Sequence, residues 1–140
     1  MKATLDHFDI TVRDMKIAEP FYDNLLPLLG FDLSRKGGGY VKDHDFHVVE
    51  YPGPDWTFTI SSPREQFKDV EIHRRRPGSL HHLAFRLEST KEVDAMLPLI
   101  EATGAQIVDE PKYYPQHGET YYALFFKDLE GIKYELMYES

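Results

Sequence analysis

Over residues 5–12 the chain alternates: Phe8, Ile10 and Val12 fall on one side, and His7, Asp9 and Thr11 on the other. Alternation with period two predicts a half-buried strand. The period then lengthens. Asp14 is placed to cap a helix over about residues 15–29, where Ile17, Phe21, Leu25 and Leu28 keep helical spacing and Gly30 supplies the stop. Pro20 suits such a helix only near its first turn, because proline lacks the amide that later turns use. Three further strands are expected at residues 31–35, 46–51 and 56–61.

The same order then returns. Residues 80–87 alternate, with His81, Leu83, Phe85 and Leu87 on one face and His82, Ala84 and Arg86 on the other. Ser89 and Glu92 have the spacing of a capping box; Val93, Met96, Leu97 and Ile100 form an apolar stripe, and Gly104 ends the helix. Strands are expected at 106–108, 121–127 and 133–138, with a turn at Asp128-Leu129-Glu130-Gly131 between the last two. His7 and His82 are 75 residues apart, and Gly30 and Gly104 are 74 apart, so one deletion aligns the two openings. The fold class is therefore α+β: two tandem βαβββ modules forming a curved mixed sheet around a trough, with helices on the outer face. Module 1 covers about residues 1–62 and module 2 about 80–140, joined by a linker over about 63–79 that carries Arg74-Arg75-Arg76.

Composition narrows the function. At 140 residues the chain suits one domain or two small units sharing a core, rather than two independent domains. The 24 Asp and Glu against 16 Lys and Arg give a formal charge of −8, which argues against general nucleic-acid binding. No apolar run approaches the roughly 18 residues of a membrane span, and the opening MKATLDHFDI lacks the order of a signal peptide. A cytoplasmic protein with no membrane partner is expected. With no Cys, a metal could be held only through nitrogen and oxygen donors.

Strand parity selects those donors. If Phe8, Ile10 and Val12 face the helix, His7 faces the trough, and the same argument sends His82 there and turns His81 away. In the last strand Tyr134, Leu136 and Tyr138 face the helix, which places Glu135 in the trough with Lys133 and Met137. Two imidazoles and a carboxylate on open strand faces are the ingredients of a metal site with free coordination positions. Such a set accepts one divalent ion, Zn, Ni, Mn, Co or Fe. Arg86, on the face of His82, is available to a substrate carboxylate or to Glu135 or Asp9, and His47 is a further trough candidate from the third strand.

The organisation resembles the vicinal oxygen chelate superfamily of glyoxalase I, extradiol dioxygenases, fosfomycin-modifying enzymes and bleomycin-binding proteins. In the first half the resemblance rests on His7, Asp14, Phe21-Tyr22 and Leu29-Gly30-Phe31. In the second it rests on Leu80-His81-His82-Leu83-Ala84-Phe85, Gly104-Ala105 and the run from Phe126 to Leu136. It implies metal ligands at His7, His82 and Glu135, a homodimer, and lyase or isomerase chemistry on a small oxygenated substrate through a metal-chelated, enediolate-like intermediate. Glu135, Asp9 or a metal-bound hydroxide would carry the proton.

Two departures accompany the resemblance. Glyoxalase I-type sites add a carboxylate on the last strand of the first module, where Thr59 stands here; a hydroxyl is a poor ligand and no general base. The extradiol signature matches His117 in spacing but has Phe125 where an active-site Tyr is expected. By the same alignment Tyr121 shares the parity of Phe125, and Tyr113, Tyr114 and His117 lie in a stretch placed to close over the cavity. A ferrous dioxygenase and a metal-free ligand-binding protein of the bleomycin-resistance type are the alternatives.

Overall fold

Alternation at the start of the chain yields β1 (His7–Thr11), and capping by Asp14, whose side chain accepts from the Lys16 amide at 2.9 Å, starts α1 (Met15–Leu25). The computed structural model describes residues 1–140, which divide into the units Met1–Val70 and Glu71–Ser140. In the first unit β2 (Gly37–Val41), β3 (Phe46–Pro52) and β4 (Thr57–Ser61) complete a four-stranded mixed sheet of order β1-β4-β3-β2, with β1 parallel to β4 and the other pairs antiparallel. The second unit repeats this with β5 (Leu83–Arg86), α2 (Thr90–Ala102), β6 (Gln106–Tyr113), β7 (Tyr122–Lys127) and β8 (Lys133–Tyr138), ordered β5-β8-β7-β6. Each unit is thus a βαβββ module. No helix is long and apolar enough to cross a membrane.

Each helix covers one face of its own sheet. Tyr22 of α1 stacks on Phe58 with ring centres 5.5 Å apart, and the Tyr51 hydroxyl donates to Asp23 at 2.9 Å. Around Phe58 gather Phe8, Phe31 and Trp56, each within 6.1 Å. In the second module the Tyr122 hydroxyl donates to Asp94 of α2 at 2.6 Å, which puts Tyr122, Leu124 and Phe126 on the helix side of β7. The α2 start is the expected capping box with one shift. Ser89 Oγ accepts from the Glu92 amide at 3.2 Å, while the Glu92 carboxylate accepts from the Glu88 amide rather than from Ser89.

Some local expectations change. The residues of α1 that bury are Ala18, Phe21, Tyr22 and Leu25, so Ile17 lies on the exposed side. Pro20 stands inside α1, beyond the first turn, and the helix tightens into a 3-10 turn over Leu26–Leu29 before Gly30 closes it at φ 92°. No strand forms at residues 31–35. Asp32 caps a turn there by accepting from the Ser34 amide at 3.0 Å, and Phe31 packs into the ring cluster. The strand comes later, at Gly37–Val41, against the edge of β3. Gly38 makes that approach possible. It sits at φ 121°, and a Cβ there would run into the Val48 carbonyl. In the second module β5 begins at Leu83, so His82 stands just before the strand rather than inside it.

Candidate active site

The face of the first sheet not covered by α1 is polar. Register places His7 beside Thr57 and Asp9 beside Thr59, and Thr59 faces Glu50 across the next strand pair. These five residues line a cavity of about 360 Å³ with Asp6, Val41, Phe46 and Val48. His7 is held by a carboxylate: its Nδ1 lies 2.7 Å from Asp6 Oδ2. A carboxylate only accepts, so Nδ1 carries the proton and Nε2 of the neutral ring keeps its lone pair for a ligand. Asp9 Oδ1 accepts from Ser61 Oγ at 2.7 Å. Glu50 is the carboxylate that the sequence reading missed. Thr59 offers no base, but its cross-strand neighbour places one in the same cavity, and only strand register reveals this.

The Asp6 bond, first among the causes, raises the His7 pKa above its ordinary 6.5. Folding therefore favours the protonated ring. The resulting stabilisation is complete below pH 6.5 and fades as pH rises through the folded value. NMR titration of the His7 ring is expected to give a midpoint above 6.5, and Asp6→Asn to bring it down. An unchanged midpoint in that variant would show that Asp6 does not hold the ring.

The open face of the second module gathers most of the remaining candidates. Glu135 is only 3% exposed. The Tyr121 hydroxyl donates to its Oε1, and its Oε2 stands 3.3 Å from His82 Nε2. Burial and the bonded carboxylate push the Tyr121 phenol well above its usual range, so it remains a donor. Phe125 pairs with Glu135 in register, its ring 6.3 Å from that of His82, and Lys133 Nζ lies 4.7 Å from the ring centre. The His117 ring packs on Tyr121 at 5.3 Å. Strand alternation was the signal for His82 and Glu135, and the family signature for His117, Tyr121 and Phe125; the structure brings the five together.

Three expectations are corrected. Arg86 is taken by Glu139, donating to its carbonyl at 2.8 Å, rather than by Glu135. His81 does not turn to the helix; it is exposed, with Nδ1 2.8 Å from His82 Nδ1, because the chain has not yet entered β5. Lost hydration, then the positive charges of His82, Arg74, Lys133 and Arg75, lower its pKa. His47 falls on the α1 side, lining a separate cavity of about 260 Å³ with Glu19, Lys36 and Gly37, since Phe46, Val48 and Glu50 take the other parity. Within either module no three His, Asp or Glu side chains are gathered into a metal cage.

Paired βαβββ modules with imidazole and carboxylate on their uncovered faces define a class. The model of the glyoxalase/bleomycin resistance protein/dioxygenase superfamily matches residues 4–136, and the chain belongs to that superfamily. It is 31% identical over 139 residues to the uncharacterized protein YqjT of Bacillus subtilis strain 168, covering 97% of this chain and 99% of that one. Among solved structures it resembles the glyoxylase/bleomycin resistance protein/dioxygenase domain from Frankia sp. EAN1pec, with TM-score 0.78, 20% identity and full coverage of both chains. It also resembles the fosfomycin resistance protein FosX of Listeria monocytogenes, solved with Mn(II) and sulfate, with TM-score 0.65 and 17% identity over 100% of this chain and 95% of that one.

Proposed function

We propose that the protein is a glyoxalase-like enzyme that binds one divalent ion through His7, His82 and Glu135 and acts on a small molecule with adjacent oxygens. The observation that carries this is the buried Glu135 carboxylate, with one oxygen held by Tyr121 and the other facing an imidazole nitrogen. No Lys or Arg forms an ion pair with it, so only Tyr121 and His82 offset its charge, and burying a carboxylate is costly. A cation between Glu135 and His82 would supply the missing charge, and nitrogen and oxygen donors suit the borderline divalent metals. His7, presenting Nε2 and backed by Asp6, is the donor from the first module. The FosX relative solved with Mn(II) supports the same expectation.

When bound, the ion would draw electron density from two substrate oxygens and so acidify the C–H beside them. The protein's own groups do the rest. Tyr121 fixes Glu135 by occupying Oε1, and Asp6 fixes the His7 tautomer. Asp9 is the proton carrier: Ser61 occupies its Oδ1 and leaves Oδ2 to take a proton, whereas Oε1 of Glu135 is already taken. The homodimer implied by the family resemblance belongs to the same proposal.

Chelated and dialysed protein, reloaded with Mn(II), Ni(II), Zn(II) or Fe(II), is expected to retain one ion per chain by elemental analysis. Failure to retain any of the four would overturn the reading. Light scattering of the same samples reads the dimer.

A further inference from the structure

Tyr114 follows β6 and is 9% exposed, and its hydroxyl is buried without a hydrogen-bond partner. The residue is otherwise firmly tied. Its amide donates to the Tyr121 carbonyl at 2.9 Å, and its carbonyl accepts from the amides of His117 and Gly118. Its ring packs edge-on against Phe125 with centres 5.4 Å apart, in a cluster with Ala123, Met137 and Tyr121. Buried hydroxyls in folded proteins are almost always paired, so an orphaned one points to a partner that the chain does not supply. The half-buried neighbouring phenols have partners in the chain: Tyr121 bonds Glu135, and Tyr122 bonds Asp94.

We propose that the Tyr114 hydroxyl is a substrate-binding group, donating to one oxygen of the small molecule held at His82 and Glu135; this rests on the metal-site reading above. Phe125 occupies the centre of the face and has no donor of its own. Tyr114, which carries a hydroxyl, packs its ring against the same Phe125 ring that His82 and Lys133 approach. Burial first, then the charges of Asp109 and Glu135, raise its pKa to about 12, so the phenol stays protonated and donates at neutral pH. A partly ionised substrate oxygen suits this donor, since hydrogen bonds to charged acceptors are the stronger ones.

The test uses 4-nitrocatechol, a coloured vicinal diol, titrated into the Mn(II)-loaded protein. Tyr114→Phe removes only the oxygen. The variant is expected to retain the metal and to melt no lower than wild type, because no internal bond is lost, yet to bind the probe about tenfold more weakly or worse. Tyr122→Phe is the contrast: it breaks the bond to Asp94 and is expected to lower Tm while leaving probe affinity unchanged. Equal probe affinity in Tyr114→Phe, or no probe binding by the loaded wild type, would overturn the proposal and leave the metal site standing. A lower Tm in Tyr114→Phe would overturn it by showing an internal partner. Absence of metal uptake would overturn both.

Discussion

His82→Ala is expected to lower the affinity for a divalent ion by more than about 100-fold, since loss of a direct ligand exceeds the 10–100-fold typical of groups that merely orient one. Glu135→Gln is expected to do the same by removing the charge while keeping the shape. Calorimetric titration of chelated protein with Mn(II) reads both. The two variants should differ in stability. His82 is partly exposed and precedes β5, so its loss leaves little behind except Glu135 facing no imidazole. Glu135→Gln keeps an acceptor for Tyr121 and relieves a buried charge, so it is expected to hold or raise Tm. Metal affinity equal to wild type in both variants would remove these residues from the site.

The largest loss of stability is expected from Phe58→Ala. Phe58 is fully buried at the centre of the first module, with Phe8, Tyr22, Phe31 and Trp56 around it. Removing a buried ring leaves a cavity that a sheet and helix cannot close, at a cost of about 3–5 kcal/mol. Urea denaturation should show the midpoint falling with the slope little changed. A loss below about 1 kcal/mol would mean that the surrounding rings refill the space.

These two experiments separate what is legible at different levels. The two helix caps, Asp14 and Ser89, and the repeated βαβββ order follow from local signals, because caps and periodicity act between residues a few positions apart. The parity of Asp9 and Glu135 follows for the same reason, as neighbours within a strand must point to opposite faces. The edge strand at Gly37–Val41 was not legible. Three glycines have weak strand preference, and Gly38 joins the sheet at a positive φ only because β3 offers its edge and Val48 leaves no room for a side chain.

Residue types and spacing by themselves determined the architecture and the donors a metal could use: no Cys, His7 and His82 at matching places in two repeats, and Glu135 on the uncovered face. Tertiary structure alone decided which groups each donor meets. Arg86 goes to Glu139, Tyr121 to Glu135, Asp9 to Ser61, and Glu50 joins the cavity of His7 through register across Thr59. The physical reason is that hydrogen-bond partners are set within about 3 Å by the alignment of distant strands, whereas periodicity specifies only the face from which a side chain begins. The unpartnered hydroxyl of Tyr114 belongs to that second kind of fact, since only the packing of β6 against β7 shows that nothing in the chain reaches it.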